Sequence, residues 1–252
     1  MSSLPAERLV RKGLGAFYSP RSLVRPMVAW AVTTSTTSVL DPSCGDGVFV
    51  ELAAERLREL GASAEGAAGQ IHAIDLNPQA ARLTAETLSR MLGVPLEVRA
   101  ESFFSLEPPG ALFSTQAPVD TVIGNPPYIR YQEFTGPSRG QALARATGAG
   151  VTLTRLASSW AHFVAHAVTF IKPKGRLALI LPAELVHAAY AAPLRRFLRQ
   201  SFADVTVISF RRAVFPGAQE SVTILLASGK GDSHQRLGLV EVESSRDLDY
   251  LA

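Results

Sequence analysis

The chain has 252 residues, enough for one sizeable α/β domain or two small ones, and its 47% hydrophobic content predicts a packed core rather than disorder. A formal charge of +3 permits a nucleic-acid partner without demanding one. The single cysteine, Cys44, excludes an internal disulfide framework and any multi-cysteine zinc site.

Read from the start, MSSLPAERLVRKG holds no apolar core of a secretory signal, and no later run approaches 18 apolar residues. A cytoplasmic protein with no membrane span is therefore expected. Residues 39–40 close a short strand, and 48–60 have helical spacing with Glu and Arg on the polar face. A strand at 71–74 is followed by a helix at 78–91, with Pro78 in the first turn where its missing N–H costs nothing. Strands follow at 94–98 and 119–123. Residues 156–171 read as a helix stopped by Pro173 and Gly175, then a strand at 176–181 and a helix at 185–200. Later strands fall at 205–210, 222–227 and 237–242. The early alternation predicts an α/β, mostly parallel, doubly wound sheet. The last strands lack intervening helices, so at least one is expected to run antiparallel. Residues 105–118 and 130–155 read as loops. The second holds five glycines or prolines and four arginines, and both a substrate-binding loop and a disordered insertion fit it.

Two segments carry chemistry. Asn125-Pro126-Pro127-Tyr128 follows an apolar strand closed by Gly124, just where ligands bind in open α/β sheets. The prolines remove two N–H donors, so the loop offers bare carbonyls. An amide oxygen, a free carbonyl and a flat ring suit a planar molecule with an exocyclic NH2 group, such as adenine. Earlier, Asp41-Pro42-Ser43-Cys44-Gly45-Asp46-Gly47 joins the first strand to its helix. Its glycines allow close approach of a ligand, but Asp41 and Asp46 would repel a pyrophosphate. An acidic turn suits a cationic ligand such as S-adenosylmethionine. About thirty residues on, Asp75 ends the next strand, where a carboxylate can accept both ribose hydroxyls. Asp46 also fits a plain helix-capping role.

With these segments in this order, residues 13–228 resemble gamma-class adenine-N6 DNA methyltransferases of restriction–modification systems. The segment 15–20, ending Tyr18-Ser19-Pro20, is similar to the family's N-terminal cofactor motif. Residues 41–49 resemble the motif that grips the methionine moiety, and Asp75 with Leu76 the ribose-binding motif. Ser102 and Phe103 stand where the family contacts the cofactor adenine, with Ser102 in place of a frequent Asp. Asn125 to Tyr128 match the catalytic motif, and Val214-Phe215-Pro216 the segment whose aromatic residue faces the target base. The resemblance implies a Rossmann-like, seven-stranded class I S-adenosylmethionine-dependent methyltransferase. Residues 1–30 would carry the first cofactor motif and 31–252 the catalytic domain.

The cofactor S-adenosylmethionine would then be held by Tyr18, Ser19 and Pro20, by Asp41, Pro42, Ser43, Cys44, Gly45 and Gly47, and by Asp75, Leu76, Ser102, Phe103 and Asn125. The partner implied is double-stranded DNA with one adenine flipped out, sandwiched by Tyr128 and Phe215. Its N6 would donate to the Asn125 oxygen and the Pro126 carbonyl, with Pro127 stiffening the loop. About two dozen residues follow Ser228, too few for a target-recognition domain, so one is expected to be supplied elsewhere. Release-factor-type protein-glutamine methyltransferases share an Asn-Pro-Pro-Tyr loop, and a non-autonomous cofactor-binding subunit is the non-enzymatic alternative. Trp160 reads as core, Cys44 as a small turn residue, and His162 with His166 as packing or a solvated pair rather than a metal site.

Overall fold

Buried parallel strands need apolar side chains on both faces, and the short apolar runs of this chain supply them. In the computed structural model, residues 19–212, 214, 221–232, 236–245 and 247–248 are described. Strands β1 (Val39–Asp41), β2 (Ile71–Asp75), β3 (Arg99–Ala100), β4 (Val119–Gly124), β5 (Ile171–Pro182), β6 (Phe202–Phe210), β7 (Val222–Lys230) and β8 (Arg236–Val242) form one sheet. Their order is β3-β2-β1-β4-β5-β7-β6-β8. Every pairing is parallel except those of β7, which runs antiparallel to both β5 and β6. The described residues hold one strand more than the seven that the resemblance implies: β8, the strand expected at 237–242, extends the edge alongside β6.

Among the described residues eight helices accompany these strands: α1 (Arg21–Ala31), α2 (Val48–Glu59), α3 (Ala64–Gln70), α4 (Pro78–Leu92), α5 (Gly136–Gly148), α6 (Ser159–Thr169), α7 (Glu184–His187) and α8 (Ala192–Ser201). They pack in two sets: α2 lies against α1, α3 and α4, and α6 lies against α5 and α8. Local chemistry sets their ends. The Asn77 side chain accepts from the Gln79 N–H to cap α4, Pro78 takes the first position, and Gly93 closes it in the left-handed region. Helix α6 is buried along nearly its whole length, Trp160 included, as its all-round apolar sequence requires. Helix α1 buries Leu23, Val24 and Met27 completely, which makes the N-terminal segment from residue 21 part of the same core.

Other expectations shift. The strand expected at 94–98 is not formed there; the two-residue β3 follows directly after it, at Arg99–Ala100. The helix expected at 156–171 starts at Ser159. Strand β5 begins at Ile171 and absorbs Pro173 and Gly175 in an irregularity opposite Val119 and Thr121. The helix expected at 185–200 is broken at Ala188, which is extended. Among the described residues no helix is long and apolar enough to cross a membrane.

This topology positions the chemistry. The strand order turns back between β1 and β4, and ligands of open parallel sheets bind in the crevice beyond the carboxyl ends at such a point. Asp41, Asp75 and Gly124 are the last residues of β1, β2 and β4, so all three stand at that edge.

Candidate active site

Asn125 leaves β4 directly after Gly124. Its Nδ2 donates to the Ser19 hydroxyl at 3.2 Å, and its Oδ1 lies 2.6 Å from the Tyr128 hydroxyl. That hydroxyl is also 2.9 Å from the Ile180 carbonyl, so its one proton serves one acceptor at a time. Tyr128 is buried, and its ring lines a pocket of about 310 Å³ shared with Arg130, Trp160, Pro182, Glu184 and Tyr190. Ser43 Oγ reaches the Asn125 carbonyl at 3.4 Å, linking the turn after β1 to the loop after β4.

The turn itself is cross-braced. Asp75 accepts from the N–H groups of Gly45 and Asn77, each at 2.8 Å. Cys44 N–H donates to the Ile74 carbonyl at 2.9 Å, and Thr84 Oγ1 donates to the Gly45 carbonyl at 3.1 Å. Gly47 has φ +86°, and a Cβ there would sit 2.9 Å from Thr84 Cγ2, so both conformation and space require glycine. Gly124, at φ +147°, brings backbone so close to Asp41 that a Cβ would stand 2.8 Å from its Oδ1.

Asp41 is fully buried. Its Oδ1 accepts from the Ser43 N–H at 3.0 Å, while Oδ2 has no partner among the described residues. Burial pushes its pKa well above the usual carboxylate range. The Ser43 N–H opposes this, and the charges of Asp75 and Asp46 reinforce it. Burial and the same acidic neighbours, Asp41 and Asp75, push the Cys44 thiol up too, so it stays protonated and acts as a small turn residue. Asp46 is exposed and accepts from the Val48 N–H at 3.4 Å, consistent with its helix-capping reading.

An orphaned carboxylate oxygen beneath a glycine turn is a place for a cationic group. Beside Asp75, Leu76 is 65% exposed and offers an apolar surface for a flat ring. Ser19 is buried against Asn125, and Pro20 is the residue before α1. Pro42 is buried within the turn and Pro126 within the loop, while Pro127 is partly exposed. Ser102 is partly exposed next to the end of β3, where its Oγ accepts from the Phe104 N–H at 3.3 Å.

The Phe103 ring lies 4.8 Å from Phe163, 4.6 Å from His166 and 5.1 Å from Phe170, centroid to centroid, so it packs into the core beside the end of β3. Tyr18 and Phe215, and Pro216 with it, fall outside the described residues. His162 and His166 are both buried; His162 Nδ1 is 3.2 Å from the Ser158 carbonyl, and His166 joins the Phe103 cluster. Sequence reasoning missed Ser159, which bonds the catalytic-motif loop, and the hydrogen-bonded pair Tyr190 and Glu184 in the pocket wall. The only trace of Ser159 was a Ser-Ser pair ahead of an apolar helix, an ordinary helix start.

Residues 7–245 match the family described as N-6 DNA Methylase. The type II methyltransferase M.XamI of Xanthomonas campestris pv. amaranthicola is 26% identical over 214 residues, 83% of this chain and 38% of that protein. M.HincII of Haemophilus influenzae is 23% identical over 94% of this chain and 42% of its own length. A tRNA1(Val) (adenine(37)-N6)-methyltransferase of Aeromonas hydrophila subsp. hydrophila is 26% identical over 86% of this chain and 79% of its own. The chain thus spans about two fifths of the type II relatives. Among solved structures, the type I restriction–modification methyltransferase subunit from Streptococcus thermophilus superposes with a TM-score of 0.70 at 18% identity, over 91% of this chain and 48% of that one. A Listeria monocytogenes protein described as a class I S-adenosylmethionine-dependent methyltransferase superposes with a TM-score of 0.68 at 16% identity, over 90% and 66%. The fold is that of class I methyltransferases, and by the match across nearly all of its length the chain belongs to the N-6 DNA Methylase family.

Proposed function

We propose that this chain is the catalytic module of a site-specific, S-adenosylmethionine-dependent adenine-N6 DNA methyltransferase of restriction–modification type. The carrying observation is the juxtaposition at the sheet's switch point. The amide and carbonyl acceptors of the loop after β4 stand across from an acidic glycine turn after β1, joined by the Ser43–Asn125 contact.

The acidic turn fits the cofactor's charge. Asp41 Oδ2 supplies an unpartnered carboxyl oxygen, Gly45 and Gly47 admit close approach, and Asp75 and Leu76 offer a carboxylate and an apolar face. Ser19, Pro20, Pro42, Ser43, Cys44 and Ser102 complete this side, and the family resemblance adds Tyr18. When bound, the cofactor supplies an electrophilic methyl group.

The chain's own residues then act on the acceptor amine. Adenine N6 is a poor nucleophile because its lone pair is delocalised into the ring. Hydrogen bonds from the amino group to Asn125 Oδ1 and the Pro126 carbonyl favour a pyramidal nitrogen and aim its lone pair. Catalysis on this reading is positioning and electrostatics. Asn125 Oδ1 is engaged by the Tyr128 hydroxyl in this structure, and an arriving amine displaces that bond. The hydroxyl keeps the Ile180 carbonyl as its acceptor, so no buried donor is stranded. The base must leave the duplex to reach this site, and stacking on Tyr128, with Phe215 by resemblance, offsets about 1–3 kcal/mol of the unstacking cost. A target-recognition domain or subunit supplied elsewhere would choose the sequence.

The test is transfer from labelled S-adenosylmethionine to unmethylated genomic DNA, followed by nucleoside analysis, with tRNA and a peptide-release factor as parallel acceptors. N6-methyladenine in DNA is expected. Label in tRNA alone would move the substrate to RNA, as in the Aeromonas relative, and label in protein alone would move it to glutamine.

A further inference from the structure

A loop with two consecutive prolines cannot donate a backbone hydrogen bond from either residue and can be held there only through its carbonyls. Its height above the sheet must be set from outside. Ser159, the first residue of α6 and only 1% exposed, lies against it. The Ser159 hydroxyl donates to the Pro127 carbonyl at 2.5 Å and accepts from the Ile129 N–H at 2.8 Å. The Ser159 backbone N–H donates to the Ile129 carbonyl at 3.0 Å. One residue thus makes three bonds across a three-residue span, using an N–H that a helix start leaves without an intrahelical partner.

We propose that Ser159 is a positioning residue for methyl transfer: it fixes the loop after β4 to helix α6 and so sets where the Pro126 carbonyl and Asn125 stand. This rests on the adenine-methylation reading above. The clamp takes the Pro127 carbonyl and the Ile129 peptide, and leaves the Pro126 carbonyl, the proposed acceptor for the amine, outside it. A single hydroxyl must give and receive at once, which among small side chains only serine and threonine do. The next residue extends the brace. Trp160 Nε1–H donates to the Tyr190 hydroxyl at 3.1 Å, and Tyr190 donates to Glu184, so the start of α6 is also tied to the far wall of the pocket.

The test uses Ser159→Ala and Ser159→Thr in the full chain. The first readout needs no turnover: amide hydrogen exchange at Ile129 is expected to rise about tenfold or more in the alanine variant, with the amides in the middle of α6 unchanged. Unaltered exchange at Ile129 would overturn the clamp. The second readout is single-turnover methyl transfer at saturating cofactor, expected to slow about 10–100-fold in the alanine variant, as for a small misplacement of reacting groups. Cofactor affinity by calorimetry should stay the same, and the threonine variant should recover most of the rate. A wild-type rate in the alanine variant, or equal losses in both variants, would reduce Ser159 to a packing residue. If the unmodified chain transfers methyl to protein and to no adenine, the adenine reading fails, while the exchange measurement still decides the clamp.

Discussion

Asp41 is a buried carboxyl group with an oxygen that nothing among the described residues satisfies, and such a group costs stability. Its folded pKa lies well above the ordinary carboxylate value, chiefly through burial. The unfolded chain therefore ionises first as pH rises, and the folded state loses stability from the ordinary carboxylate range up through the raised pKa. Asp41→Asn keeps an oxygen for the Ser43 N–H and removes the buried ionisable group. We expect it to raise Tm at pH 7.5 by about 2–4 °C, the shift that about 1 kcal/mol produces in a chain of this size. It should also weaken S-adenosylmethionine binding measured by calorimetry. A fall in Tm, or unchanged affinity, would mean that the orphaned oxygen is not held for the cofactor. Asn125 should behave in the opposite way. Asn125→Ala is expected to cut the single-turnover rate by about 10²–10³-fold, the effect of losing one preorganised hydrogen-bonding group, with cofactor affinity intact. Equal loss of affinity would show that the loop only supports the fold.

At the scale of elements, the turn after β3 and helix α6 meet in an aromatic cluster that was invisible as a unit in the sequence. His166 sits within it, 4.6 Å from Phe103 and 4.9 Å from Phe170. Burial, with a smaller contribution from Arg145, lowers its pKa from 6.5 to about 4, against backbone contacts of Phe103 and Leu106 and the Glu107 carboxylate. Its stabilising contribution is complete above pH 6.5 and is lost as pH falls toward 4, because the unfolded chain takes up the proton first. The loss amounts to at most about 3 kcal/mol. His166→Phe should keep the packing and flatten the fall of Tm between pH 6.5 and 4.5. Parallel curves for the two proteins would assign the acid sensitivity elsewhere. Asp41 titrates with the opposite sign, so the comparison isolates the histidine. The same cluster explains what the sequence hid. Strands β1, β2 and β4 were legible as apolar runs closed by Asp or Gly, and with them the strand-end residues of the site. Helix α5 was not, because its buried face is only Ala142 and Ala146 between glycines, with no large apolar repeat to reveal a period. Phe103 stood out only as a motif position, and a motif cannot say which way a ring turns. Ser159 belongs to no motif, and its role exists only once α6 lies beside the loop.

At the scale of the whole molecule, the sheet order gathers the acidic turn and the amide loop at one edge although 78 residues separate Gly47 from Asn125. A net charge of +3 gives weak long-range attraction, and many of the arginines are spent internally: Arg145 on Glu107, Arg139 on backbone carbonyls, Arg211 on Glu241 and Glu243. Binding of this 252-residue chain to duplex DNA should therefore rest on a few phosphate contacts. We expect dissociation constants of roughly 10⁻⁴–10⁻⁶ M near physiological salt, the range of non-specific binding, and a slope of log K against log[salt] of about −3 to −4. Fluorescence anisotropy with duplexes of differing sequence, titrated from 50 to 200 mM salt, measures both. Nanomolar binding to one sequence, or a slope near zero, would place a reading surface within these residues and remove the need for a recognition domain supplied elsewhere. An extruded or mismatched adenine should tighten binding, because the unstacking cost is then already met, and that gain should vanish in Asn125→Ala only if the amide oxygen holds the base.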